Sequence, residues 1–155
     1  MSATAATKAE TPARSAVEAV SPAEFQAALD RTLRLVASDE RLGPLLSATK
    51  MRMRLEFADC GLALNLDAAD PRAAPLSWSF GDQPGWRPKL VLQMDAAVAN
   101  RYLQGHESLA IALARGQARF RGDSRAALVY LPATRLLCDS YRRVVHDEYP
   151  ALACP

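Results

Sequence analysis

Few residues in this chain have the types and spacing that catalysis or metal binding requires. The two histidines, His106 and His146, lie far apart in the sequence, and neither adjoins a cluster of carboxylates or cysteines. His106 directly follows a glycine that can end a helix, which favours a capping or surface role over acid–base catalysis. No phosphate-binding glycine loop, nucleophile elbow or paired-histidine zinc motif occurs. The residue types therefore predict no catalytic residues.

The three cysteines, Cys60, Cys138 and Cys154, give an odd number without the spacing of a zinc site. We therefore expect isolated reduced thiols, no metal and no other cofactor. Cys138 could be combined with His146 and Asp147 into a nucleophile–base–acid triad, but only spatial proximity would give such a set meaning. An acyl-handling enzyme built on these residues is the third of our three functional hypotheses.

The tetrapeptide Arg121-Gly122-Asp123-Ser124 matches the adhesive motif that integrins recognise in extracellular proteins. The structural explanation is that Gly122 ends a strand and that Asp123 or Ser124 caps the next helix. We favour this explanation because residues 1–20 lack the hydrophobic core of a secretion signal. Their Ala, Ser and Thr content predicts a disordered tail, and we expect a cytoplasmic protein.

Composition and charge exclude several classes of protein. The chain has 155 residues, half of them hydrophobic, and a net charge of +2. Its arginines are spread along the chain, whereas nucleic-acid binding favours a basic cluster. No apolar run approaches the roughly 18 residues that a membrane span needs. These properties predict one globular domain that binds no nucleic acid.

The hydrophobic periodicity predicts the elements of this domain. Ser21, Pro22 and Glu24 form the start signal of a helix that Gly43-Pro44 ends. Alternating residues then predict strands over 51–57, 62–66, 76–80 and 89–94, all antiparallel, and a fifth over 116–122. Helices are predicted after Asp95, between Gly105 and Gly116, after Gly122, and from Pro132 onward. We therefore expect an α+β fold, in which helices cover one face of a five-stranded, mostly antiparallel sheet.

The apolar residues of these elements point into the space between sheet and helices. A filled core and a lined cavity both fit their periodicity. We expect this domain to span residues 21–147 and to be followed by a C-terminal tail over 148–155. Ten of its residues are predicted to line the cavity: Trp78, Phe80, Leu103, Leu109, Leu113, Phe120, Leu128, Leu131, Leu137 and Tyr141.

The segment KLVLQMDAAVANRYLQGHESLAIALARGQARFRGD resembles the sterol carrier protein 2-like family, specifically its short stand-alone bacterial members. The order of strands and helices extends this resemblance over about residues 22–146. The resemblance implies a hydrophobic tunnel that accepts sterols, fatty acyl chains, phospholipids or isoprenoid quinones without catalysis. The peroxisomal Ser-Lys-Leu ending of the archetype is absent, since the chain ends Ala-Cys-Pro.

The leading hypothesis is therefore non-enzymatic binding, with transfer, of a lipid-like molecule in a hydrophobic cavity. The terminal helix after Pro132 would be the lid, and Arg142 and Arg143 would meet anionic head groups during transient membrane contact. The alternative is a partner-binding accessory module of a lipid or quinone biosynthesis pathway with a packed core.

Overall fold

The protein folds into a five-stranded sheet with a layer of helices over one of its faces. The structure is a computed structural model and describes residues 19–70, 72 and 74–155. This arrangement confirms the predicted α+β class. The α-helices are α1 (Pro22–Ser38), α2 (Leu42–Thr49), α3 (Ala96–Leu103), α4 (Leu109–Ala114), α5 (Ser124–Ala133) and α6 (Cys138–Glu148). The strands are β1 (Arg52–Phe57), β2 (Leu62–Asp67), β3 (Ser77–Phe80), β4 (Leu90–Met94) and β5 (Ala118–Gly122). Two 3-10 helices, Thr134–Leu137 and Pro150–Leu152, flank α6.

The strands lie in the order β3-β2-β1-β4-β5. The β1–β2, β2–β3 and β4–β5 pairs are antiparallel, which confirms a mostly antiparallel sheet. The β1–β4 pair is parallel, so the expectation that the first four strands are all antiparallel is wrong. β4 pairs with the free edge of β1 and does not extend the β1–β2–β3 meander beyond β3. The direction of β4 is set by the segment that leads into it.

That segment, residues 81–89, runs over the open face of the sheet. It starts beside Arg54, which donates to the Gly81 carbonyl, and ends where the Lys89 N–H donates to the Arg52 carbonyl at the start of β1. Between these points, the Trp86 indole donates to Asp67 at a distance of 2.8 Å. The segment thus returns the chain to the end of the sheet where β1 begins, and β4 must then run parallel to β1.

The predicted alternation places the two faces of the sheet correctly. Met53 and Phe57 of β1 are buried beneath the helices, whereas Arg54 and Glu56 form an ion pair of 2.9 Å on the open face. The edge strand β5 is different, because only Ala118 of its residues is buried. Burial therefore decreases from the centre of the sheet toward β5.

Helix α1 begins as its sequence predicts. The Ser21 hydroxyl accepts the Glu24 N–H, and Pro22 occupies the first helical position. The buried face contains Phe25, Ala28, Leu29, Thr32, Leu33 and Val36. Phe25 packs edge-to-face on Phe57 of β1, with ring centroids 5.0 Å apart, and also contacts Tyr141 of α6. These rings join the sheet to the two longest helices of its cover.

The expectation that Gly43-Pro44 ends the first helical unit is wrong. Helix α1 ends at Ser38, and Gly43 and Pro44 lie in the first turn of α2. The first turn of a helix tolerates proline because its N–H groups have no intrahelical partner. The Asp39 carboxylate caps this turn instead, since it accepts the N–H groups of Arg41 and Leu42.

Pro132 does not open the final helix, contrary to the prediction. It lies inside α5, whose helical backbone conformation continues through the 3-10 turn into α6. A proline at this position removes the hydrogen bond to the carbonyl of Leu128, four residues earlier. Leu128 is among the most exposed residues of the helix, so water is available to that carbonyl, and the backbone tightens into the 3-10 turn directly afterwards.

The C-terminal segment is not the loose tail that the sequence suggests. The Leu152 side chain is buried, and its carbonyl accepts hydrogen bonds of 2.9 Å from both Asn100 and Gln104 of the α3 region. The Cys154 N–H donates to Gln104. The predicted N-terminal tail, residues 1–20, lies outside the described residues except for its last two. None of the helices described is long and apolar enough to cross a membrane.

Candidate ligand-binding face

The ten residues predicted to line a cavity occupy three different environments. Four are buried in the packed core: Leu103, Leu109, Leu137 and Tyr141. Four are half-buried at its margin: Trp78, Phe80, Leu113 and Leu131. Two are exposed: Phe120 and Leu128. The structure therefore brings only a subset of them together at a surface where a ligand would be accessible.

Trp78 and Phe80 are separated from Phe120 by the width of the sheet. They lie on β3, the edge strand opposite β5. Four strand spacings separate these edges, about 19 Å at the usual spacing. The Trp78 indole also donates to Asp30 of α1 at a distance of 2.8 Å, so this side chain ties α1 to the sheet.

Tyr141 belongs to a buried polar network. Its ring is fully buried, and its hydroxyl donates to Asn100 Oδ1 at 2.6 Å. The same oxygen accepts Gln104 Nε2 at 2.8 Å. Burial raises the pKa of Tyr141 far above its usual range, so its neutral phenol is the form that the fold holds. This network joins α6, α3 and the C-terminal segment.

The helical cover is incomplete at the β5 edge. Phe120 stands opposite Leu92 of β4, and both side chains point toward the helices. Leu92 is 1% exposed, whereas Phe120 is 43% exposed. Helix α4 packs on β5 and carries the half-buried Leu113, and α5 packs on β4 and carries the half-buried Leu131. We call Phe120, Leu113 and Leu131 the β5 face; they are the incompletely buried apolar residues of β5 and of the two helices that pack on β5 and β4.

Polar groups lie next to the β5 face where α3 meets the 3-10 turn. The Thr134 hydroxyl donates to the Leu131 carbonyl, so the Tyr102 hydroxyl is the donor in the 2.6 Å bond that joins Tyr102 to Thr134. Burial raises the pKa of Tyr102. The Cys138 thiol donates to the Tyr102 carbonyl, and burial raises its pKa as well. Both groups are therefore neutral hydrogen-bonding groups at pH 7.

The triad of Cys138, His146 and Asp147 is not assembled. Cys138 and His146 lie on the same helix, and eight residues of helical rise separate them by about 12 Å along the axis. His146 Nδ1 contacts Asp147 at 2.8 Å on the exposed side of α6. The raised pKa of Cys138 also opposes thiolate formation, which a nucleophile requires.

The other sequence motifs have structural roles. Gly122 ends β5 with a φ of 120°, and any side chain there would collide with the Lys89 carbonyl. The Asp123 carboxylate caps α5 by accepting the N–H groups of Arg125 and Ala126. These contacts confirm that the Arg-Gly-Asp-Ser stretch is a strand end followed by a helix cap. Cys60, Cys138 and Cys154 form no disulfide with one another.

Two open grooves lie away from the β5 face. One, of about 560 Å³, lies between the start of α1, α3 and the C-terminal segment, and includes Glu24, Arg101 and His106. The other, of about 320 Å³, lies between α1 and α6 and includes Arg31 and Arg143. None of the ten predicted residues lines either groove. Their mixed polar walls do not suit an apolar ligand.

Solved structures share this fold. A conserved hypothetical protein of Thermus thermophilus has 22% identity and a TM-score of 0.52 over 83% of this chain and 90% of its own. The apo form of Yarrowia lipolytica sterol carrier protein 2 has 11% identity and a TM-score of 0.54 over 77% and 89%. The ubiquinone synthesis protein UbiJ-SCP2 has 13% identity and a TM-score of 0.52 over 77% and 99%.

The chain therefore has the fold of sterol carrier protein 2, which confirms the resemblance at the level of the fold. It also aligns with 13% of the length of a sec-alkylsulfatase from Pseudomonas sp., at a TM-score of 0.44 that is too low to support an argument. No protein-family model matches the sequence. No curated protein matches it either.

Proposed function

We propose that this protein binds, and transfers, a lipid-like molecule with a fatty acyl, phospholipid, sterol-like or isoprenoid body, and that it performs no chemistry on it. The observation that carries the proposal is the exposed Phe120, which belongs to the core face of the sheet but is 43% exposed because the helices cover it only in part. A ligand lying between β5, α4 and α5 would complete the cover. The sterol carrier fold of the chain supports the same function.

Helix α4 is the element whose displacement would open this site. It has only six residues and lies between Gly105 and Gly116, whose φ values of 86° and 75° are in the left-handed region that interrupts a helix. Its Leu113 side chain would leave the β5 face when α4 moves outward. Each methylene that a ligand then buries contributes about 0.8 kcal/mol, which favours an acyl chain over water at this site.

Among the ten predicted residues, Phe120, Leu113 and Leu131 would contact the ligand, with Leu103 and Leu109 beneath them. Leu128 lies outside this space, and Trp78 and Phe80 lie at the opposite edge of the sheet. The Tyr102–Thr134 pair would be available to a polar head group. The protein would act in the cytoplasm as a single domain that begins at residue 21 and includes the C-terminal segment packed on α3.

The first test is native mass spectrometry of freshly purified protein, followed by lipid extraction, with titration of a fluorescent fatty acid in parallel. We expect copurified lipid and saturable uptake of the fatty acid. Leu113→Gln should weaken uptake by about tenfold or more, because a polar amide would then face the acyl chain. Leu45→Gln is the matched control, because Leu45 is exposed on α2 and should not affect uptake.

A protein that carries no lipid and takes up no fatty acid would contradict the proposal. That result would favour the alternative, an accessory module with a packed core that acts through a protein partner. Equal uptake by the Leu113→Gln and Leu45→Gln variants would show instead that ligand binds elsewhere than the β5 face.

A further inference from the structure

We propose that the outer side of α5 and of the following 3-10 turn docks onto membranes that contain anionic phospholipid. Arg125, Leu128, Val129, Pro132 and Arg135 recur at intervals of three and four residues, so they lie along one side of this helical segment. All five are exposed, and we call them the α5 stripe.

The apolar centre of the stripe has no role in holding the fold together. Leu128 is 78% exposed and Val129 is 49% exposed. The other side of α5 already anchors the helix, since Ala126, Tyr130 and Ala133 are buried where α5 packs against β4 and α2. Adjacent large apolar side chains that are exposed to water are typical of sites that another surface covers during function.

Positive charge lies at both ends of this apolar centre. Among the described residues, neither Arg125 nor Arg135 forms an ion pair. The two nearest acids in the sequence are engaged elsewhere: Asp123 caps the backbone of α5, and Asp139 pairs with Arg142 at 2.8 Å. The stripe therefore presents apolar side chains between two free guanidinium groups.

An anionic bilayer fits this pattern better than a second copy of the chain. A two-fold contact between two stripes would bring arginines of like charge together, and stable protein interfaces bury about 800 Å² per partner, more than a few side chains supply. A bilayer sets no such minimum. Its acyl boundary would receive Leu128 and Val129 while the arginine side chains reach back to the phosphates.

The stripe also adjoins the β5 face, because the half-buried Leu131 follows the exposed Leu128 by three residues on the same helix. Docking by the stripe would place the proposed ligand site against the membrane that supplies or receives the ligand. This part of the inference rests on the proposed function, whereas the exposure and charge of the stripe do not.

The test is cosedimentation of the full chain with vesicles of phosphatidylcholine alone and of phosphatidylcholine mixed with phosphatidylglycerol. We expect binding mainly to the mixed vesicles, reduced by added salt. Arg125→Gln and Arg135→Gln should each reduce the partition coefficient about fivefold. Leu128→Ser should reduce it about tenfold. Circular dichroism should show that the variants remain folded, which is expected because these side chains are exposed.

Matched controls are Leu45→Ser on α2 and Arg87→Gln in the segment over the open face of the sheet, an exposed leucine and an exposed arginine outside the stripe. The proposal is overturned if these controls lose as much binding as the stripe variants, or if neutral and anionic vesicles bind equally. It is also overturned if wild-type protein dimerises in solution and Leu128→Ser makes it monomeric without a change in vesicle binding.

Fatty-acid uptake in vesicle-free solution separates this proposal from the previous one. Stripe variants that lose vesicle binding should take up fatty acid as the wild type does. A wild type that binds anionic vesicles without taking up fatty acid would contradict the ligand proposal and support the docking surface. Uptake without vesicle binding would do the opposite.

Discussion

Trp78 shows how a side chain that periodicity assigns to a cavity wall can hold two elements together instead. Its position on β3 faces the helices, as predicted, but its indole N–H reaches Asp30 of α1. This hydrogen bond lowers the pKa of the Asp30 carboxyl more than any other contact does, and Arg34 lowers it further. The ionised carboxylate is therefore the form that the folded state favours.

The first prediction at the residue scale is that Asp30→Asn destabilises the protein in a pH-dependent way. Because folding lowers the pKa of Asp30, its stabilising contribution is present above the unfolded pKa, about 3.9, and is lost as pH falls through the folded value. The difference in unfolding free energy between wild type and variant should be largest near neutral pH and should shrink below about pH 4. Urea unfolding at several pH values measures it.

Asp139→Asn is the control for this prediction, since Asp139 is 82% exposed and pairs only with Arg142 on the same helix. Such a pair contributes less than about 1 kcal/mol. A pH-independent loss in Asp30→Asn would show that the Trp78 bond does not discriminate between the two forms of the carboxyl.

Leu128 and Val129 could have been recognised as surface residues from the sequence. In a helix that buries Ala126, Ala127 and Tyr130, the positions three and four residues after Arg125 must point away from the core. Hydrophobicity alone places Leu128 in the interior. Hydrophobicity was the weaker signal here, and helical spacing was the stronger one.

At the scale of elements, the cap of α3 comes from a different part of the chain than the sequence indicates. Asp95 occupies the N-cap position but makes no side-chain hydrogen bond to the helix. Asp59, in the turn between β1 and β2, accepts the Ala96 N–H at 2.8 Å. The turn that joins two strands therefore also fixes the start of the helix that follows β4.

We predict that Asp59→Ala lowers the unfolding free energy by about 1 kcal/mol, which is typical for loss of a helix cap. Asp95→Ala should change it by less than about 0.5 kcal/mol. Chemical denaturation of the two variants under identical conditions measures both effects. A larger loss in Asp95→Ala would mean that the local cap, and not the tertiary one, holds the helix.

The sequence shows which residues break helices but not which positions they take within the elements. Gly43-Pro44 lies at the start of a helix instead of the end of one, and Pro132 lies within a helix instead of at its start. Proline has no backbone N–H to donate, and several positions in a helix tolerate the loss of that hydrogen bond. The surrounding contacts select among them.

At the scale of the whole molecule, the C-terminal segment completes the polar interior. Asn100 and Gln104 are buried, and both donate to the Leu152 carbonyl. Tyr141 shares the Asn100 oxygen. No sequence pattern within DEYPALACP predicts this role, because the hydrogen-bond partners of Leu152 lie about fifty residues earlier in the chain.

We predict that removal of residues 150–155 lowers the unfolding free energy by about 3 kcal/mol or more, through lost burial of Leu152 and the unpaired amides of Asn100 and Gln104. Leu152→Ala keeps the carbonyl and should lose about 2 kcal/mol. Thermal and urea unfolding of both variants test this. A truncated protein as stable as the wild type would mean that the segment is dispensable for the fold.

The sequence by itself determined the fold class, the five strands, the start of α1 and a helix cap at Asp123 or Ser124. Each of these depends on contacts between residues near one another in the chain or on a strict period of two or 3.6 residues. The tertiary structure alone decided the parallel β1–β4 pair, the cap from Asp59, the fixed C-terminal segment and the partly covered β5 face. These depend on which distant elements meet and on where the helical layer ends, and local periodicity carries no information about either.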